Sequence, residues 1–104
     1  MAKSVLASNF QTRLRVAGLI GALNCAKRQG HITQGQASSA IVITLDKRGI
    51  SRKYLSDPRI RKVSNIVSNE LIRLQVNCSD PYAPQRALNS FPSKVLKRIE
   101  NLLD

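Results

Sequence analysis

The chain has 104 residues, with seventeen Lys and Arg against six Asp and Glu, a formal net charge of +11 and a pI near 10.7. That length suits one domain, and no apolar run approaches the roughly 20 residues that a membrane-spanning helix needs. The 42% hydrophobic fraction includes only two Phe, two Tyr and no Trp, so aliphatic side chains must fill the core, and a single His excludes imidazole-rich metal centres.

The opening Met1-Ala2-Lys3-Ser4-Val5-Leu6 has one base and a two-residue apolar patch, too short for a secretory leader. An intracellular protein is expected, cytoplasmic or nucleoid-associated, with a virion component as the alternative. Val16, Leu19, Ile20 and Leu23 then fall at i, i+3, i+4 and i+7, extended backward by Phe10 and Leu14. The pattern predicts a helix from about Ser8 to Gly30, capped by Ser8 or Asn9, with Lys27 and Arg28 in its last turn. Gly18 and Gly21 weaken such a helix, and their presence suggests close approach by a second one.

Residues 32–49 fit two patterns. Thr33 is a helix cap, and Ala37, Ala40, Ile41 and Leu45 make a helical face, yet residues 40–45 are also a β-branched run of strand length. Helix is preferred, because a lone strand would have nothing to pair with. Gly49-Ile50-Ser51 then starts a short helix to Leu55. Ser56-Asp57-Pro58 opens another that runs to about Val76, with Ser56 as cap and Ile60, Val63, Val67, Leu71 and Leu74 on one face.

Residues 77–84 read as a turn-rich connector. Ser90-Phe91-Pro92 leads into a last helix whose stripe of Val95, Leu96, Ile99, Leu102 and Leu103 faces away from Lys94, Lys97 and Arg98. That stripe closes the core or, as the alternative, forms a homodimer seam through residues 92–103. The fold class is therefore all-α, a small bundle of four to five helices. Residues 1–76 would form the basic core and residues 77–104 a connector and amphipathic C-terminal helix.

Catalytic constellations are missing from this pattern. His31 is the only imidazole, and the six acids are scattered, with only Glu100 and Asp104 as near as four residues apart. Cys25 and Cys78 are 53 positions apart with no second ligand at metal spacing; two thiols in a reducing compartment are expected, with a disulfide as the alternative. No enzyme activity, cofactor or metal is expected.

The charge is unevenly spread. No acid precedes Asp46, while Lys3, Arg13, Arg15, Lys27 and Arg28 all do. Between Lys47 and Lys62 seven bases face one acid, Asp57. Like charges crowded on a small surface repel, and a polyanion relieves that repulsion. Nucleic acid is the expected partner, and a membrane is not.

Within this basic run, Leu45 to Leu55 has the order helix, Gly turn, Ser cap and basic helix. Gly49 supplies a positive φ, Ser51 caps, Arg52 and Lys53 stand exposed at the amino end, and Tyr54 offers a hydroxyl to phosphate. Gly49-Ile50-Ser51-Arg52-Lys53-Tyr54-Leu55 with Asp57-Pro58 resembles the helix-turn-helix regions of tetracycline-repressor-type regulators and of small transposition-associated or plasmid DNA-binding proteins. The resemblance covers about 14 residues closely. It implies a regulator or accessory protein of a phage or mobile element that binds duplex DNA, with Ser51, Arg52 and Lys53 at the bases. Arg13, Arg15, Lys27, Arg28, Lys47, Arg48, Tyr54, Arg59, Arg61 and Lys62 would hold the backbone. An RNA-binding module or a viral packing protein is the alternative.

Overall fold

The computed structural model describes the backbone of residues 2–104 and the side chains of residues 9–104. The backbone is helical from Ala2, so the expected caps Ser8 and Asn9 lie inside the first helix and not at its start, and the side chains of Lys3 and Ser8 lie outside those described. Five α-helices and two 3-10 segments are present among the described residues, with no strand: α1 Ala2–Arg28, α2 Gln34–Lys47, a 3-10 turn Arg52–Ser56, α3 Pro58–Arg73, α4 Ala83–Ala87, a 3-10 turn Leu88–Ser90, and α5 Ser93–Leu103. The fold is all-α.

Residues 40–45 lie inside α2, so the strand alternative is not taken. Thr33 accepts from the Gln36 amide while the Gln36 side chain accepts from the Thr33 amide, a reciprocal cap that settles the helix start locally. At α3 the cap is Asp57, one residue later than the expected Ser56. Its carboxylate accepts from the Arg59 amide, and Pro58 takes the first helical position, where no N–H is missed. The segment after Gly49 is a single 3-10 turn of five residues. Within the connector, α4 and its 3-10 continuation were not legible as helix, because Tyr82-Ala83-Pro84 looks like a turn.

Three helices end the same way. The sixth residue donates back to the first across α1 (His31 to Ala26), α2 (Ile50 to Leu45) and α3 (Val76 to Leu71). Each ending places its penultimate residue at positive φ. Gly30 and Gly49 take that conformation without strain, whereas at α3 it falls to Gln75, at φ 57°.

The most extensive helix contact is α1 against α3. Sequence periodicity placed Val16, Leu19, Ile20 and Leu23 on the inner face of α1. In the structure Leu19, Ile20 and Leu23 are only partly buried, and the fully covered row is Val16, Ala17, Gly21, Cys25 and Ala26. The reason is proximity: a Cβ on Gly21 would lie 2.6 Å from Val67 Cγ1 and 3.0 Å from the Ser64 carbonyl. Small residues four apart let α3 come close, and Ser64, buried at the seam, donates its hydroxyl to the Ile60 carbonyl. Gly18 does not share this role, since its Cβ would meet nothing within 4 Å.

Ile60, Val63, Val67 and Leu71 of α3 join Val16 and Leu45 in a core that also takes Phe91, Ile99 and Leu103. The α5 stripe therefore buries Ile99 and Leu103 within its own chain, while Leu96 remains 41% exposed. Arg13 Nε donates to the Leu103 carbonyl at 2.8 Å, tying α1 to the end of α5.

Cys25 and Cys78 form a disulfide, with Cα atoms 5.9 Å apart. The expectation of two thiols is thus corrected. α1 and the strap after α3 bring the two cysteines together, and Gln29 holds the strap by donating to the Val76 carbonyl and accepting from the Cys78 amide. Because disulfides persist in oxidising surroundings, the bond also removes the argument for a reducing compartment that rested on free thiols. No helix among the described residues is long and apolar enough to cross a membrane.

Candidate nucleic-acid interface

The thirteen residues expected at nucleic acid separate in the structure by what already holds them. Arg13 is tied to the α5 terminus, Lys27 Nζ donates to Gln34 Oε1 at 2.6 Å, and Arg28 donates to Ser68 Oγ and Asn69 Oδ1. Arg52 grips Asp46 through Nε at 3.2 Å and an NH2 nitrogen at 2.7 Å; Arg59 does the same to Asp57 at 3.2 and 3.0 Å. Both carboxyls are held below the usual carboxylate range, first by the hydrogen bonds from these guanidiniums.

Arg52 is the residue this matters for most. Expected as a base reader, it is folded back onto the end of α2, and the 3-10 turn that carries it is one turn long. Lys53 and Ser51 keep their places: Ser51 accepts from the Lys53 amide and caps the turn.

Five of the expected residues meet in one cleft. Arg15 from α1, Arg48 from the end of α2, and Ser51, Lys53 and Tyr54 from the following turn line a space of about 730 Å³, together with Thr12, Gly49 and Ile50. Arg15, Arg48 and Lys53 are exposed. Four ion pairs occur among the described residues, and none involves these three cations. The local sequence explains the assembly. Thr12 and Arg15 are three apart on α1 and share a face, while the positive φ of Gly49 folds Ser51 to Tyr54 back beside Arg48. Lys47 and Arg48 also complement the negative end of the α2 dipole. Lys47, Arg61 and Lys62 are exposed but do not line the cleft.

A second, more apolar groove of about 670 Å³ continues from the cleft, sharing Arg15, Arg48 and Ile50 with it. Its walls come from α1, the end of α2 and the α4 segment. Sequence reasoning missed this groove and Thr12 alike. The positions 11, 14, 15, 18, 19 and 22 of α1 do form one helical face, but Leu14 and Leu19 read as core and Arg15 as a phosphate contact, so the face was not recognised as one wall.

No group of three His, Cys, Asp or Glu among the described residues is placed to hold a metal ion. Comparison with protein-family models, curated proteins and solved structures returns no match.

Proposed function

We propose that this protein is a non-enzymatic nucleic-acid-binding protein that grips the phosphate backbone through the cleft between α1 and the α2 corner. One observation carries the reading: Arg15, Arg48 and Lys53 converge there without an acidic partner, beside the hydroxyls of Ser51 and Tyr54. Three cations held together repel one another, and a phosphate group offsets that repulsion while accepting from the hydroxyl donors. Exposed Lys47, Arg61 and Lys62 extend the positive surface.

Duplex DNA is the favoured polyanion, since the helix, Gly turn and Ser-capped turn keep the order of the helix-turn-helix regions that the segment resembles. The Arg52–Asp46 pair shifts the emphasis from base reading to backbone contact. A regulator or accessory protein that binds with little sequence preference fits this division. Duplex RNA is the alternative, separated by the same titration.

Affinity for random duplex DNA, duplex RNA and a single strand, measured from 50 to 300 mM salt, tests the proposal. Wild type is expected to prefer duplex DNA with a steep negative log–log slope, and Arg15→Ala/Arg48→Ala/Lys53→Ala to flatten that slope by about one unit per lost contact. An unchanged slope in the triple variant would overturn the cleft, and equal or better RNA binding would overturn DNA.

A further inference from the structure

The groove that opens from the cationic cleft differs from it in chemistry. Leu14, Leu19 and Leu88 with Pro84 give it aliphatic walls, and Gln11 and Gln85, both carboxamide residues, also line it. At about 670 Å³ it lies within the range of small-ligand pockets. A ligand that entered it from the cleft would leave its charged part among Arg15, Arg48 and Lys53.

Gly18 supplies the second observation. A glycine inside a helix costs about 1 kcal/mol relative to Ala, and the usual compensation is close packing, as at Gly21. Gly18 has no such compensation: a Cβ there would meet nothing, and the position lines the groove. Its missing side chain leaves room along the wall of α1.

We propose that the groove takes the base of one unpaired nucleotide whose phosphate sits in the cleft. This inference rests on the nucleic-acid reading above and deepens it. A flat base presents two apolar faces and a polar edge. Aliphatic walls cover the faces, in the way that apolar side chains enclose extruded bases, and the amides of Gln11 and Gln85 meet the edge with donors and acceptors. Carboxamides offer both hydrogen-bonding senses, so the groove accepts more than one base. The protein would then favour a strand end, gap or bulge over an uninterrupted duplex.

The test compares two duplexes of equal charge, each ending in a one-nucleotide overhang that is either a normal adenosine or an abasic residue. Wild type is expected to bind the adenosine overhang about tenfold more tightly, the scale of one sequestered base. Gly18→Leu, whose Cβ would meet nothing within 4 Å and whose longer side chain would narrow the groove, is expected to bind both with the abasic affinity and an unchanged salt slope. If that variant fails to fold, Gln11→Ala/Gln85→Ala is read in the same way, by a reduced ratio between the two overhangs. Equal affinity of wild type for both duplexes overturns this inference and leaves phosphate binding standing. Failure of wild type to bind either duplex overturns the nucleic-acid reading and the inference with it.

Discussion

Arg52 reaches back six residues to Asp46 and binds its carboxylate with two nitrogens, at 3.2 and 2.7 Å. The pair closes the corner between α2 and the turn that follows, and both side chains are more than half exposed. Exposed pairs of this kind add little to stability, so their effect is on where charge is available. The guanidinium that local sequence assigns to bases is already occupied by a carboxylate six residues earlier.

Asp46→Asn should therefore raise affinity for duplex DNA while leaving thermal stability nearly unchanged. It removes one negative charge and frees Arg52, so the log–log salt slope should steepen by about one unit. Arg52→Ala in that background should return the slope to its original value. If Asp46→Asn leaves affinity unaltered, Arg52 does not face the polyanion.

The two glycines of α1 should respond in opposite directions. Gly18→Ala has open space and removes a flexible residue from a helix interior, which should stabilise the fold by up to about 1 kcal/mol. Gly21→Ala sets a methyl group 2.6 Å from a stiff Val67 side chain and close to the α3 backbone. A loss of about 1–3 kcal/mol is expected. Denaturant midpoints of the two variants decide between this account and one in which both glycines serve helix packing.

The Cys25–Cys78 bond closes a loop between residues 53 positions apart. Loop-closure entropy gives it a contribution of about 4 kcal/mol, acting through the unfolded chain. Guanidinium unfolding with and without reductant should show a loss of about 2–5 kcal/mol, and Cys25→Ser/Cys78→Ser should match the reduced protein.

Gln75 holds the left-handed position at the end of α3, where α1 and α2 use glycine. Gln75→Gly should stabilise by about 0.5–1 kcal/mol, because relief of the Cβ strain exceeds the added freedom of the unfolded chain. A decrease in melting temperature would contradict that balance.

Acid should weaken the fold in a defined direction. Asp57 is held below the ordinary carboxylate range, mainly by the Arg59 guanidinium and then by the Arg59 amide. A lowered carboxyl contributes stability that is present above the unfolded value of about 3.9 and is lost as pH falls through the lower folded value. Asp46 and Asp80 are lowered too, Asp80 chiefly by the Tyr82 amide and then by Arg86. Melting temperature should hold from pH 7 to about 5 and fall below it, and Asp57→Asn, which keeps the cap but loses the ion pair, should flatten that fall.

Much of the helix pattern was legible because its signals are local. Thr33 as a cap, Pro58 in the first turn of α3 and Gly49 at positive φ each act within a few residues, so they can be read in order, although the α3 cap is Asp57 and not the expected Ser56. The inner face of α1 was not legible in the same way. Periodicity favoured the large residues Leu19, Ile20 and Leu23, but close approach by α3 selects the small row of Ala17, Gly21 and Cys25. Which row lies inside depends on the partner helix, and its distance is not written in α1.

The sequence by itself determined the all-α class, most helix starts and stops, and a positive surface with too few acids to neutralise it. These follow from propensity, capping and composition, which need no distant residue. Only the tertiary structure decided which charges remain available: Arg59 and Arg52 face acids two and six residues away, and Arg15, Arg48 and Lys53 face none. It also decided that Cys25 meets Cys78 and that α1, α2 and α4 leave a groove beside the cations. Contacts between segments depend on how helices pack, and packing is a property of surfaces brought together rather than of any one stretch of chain.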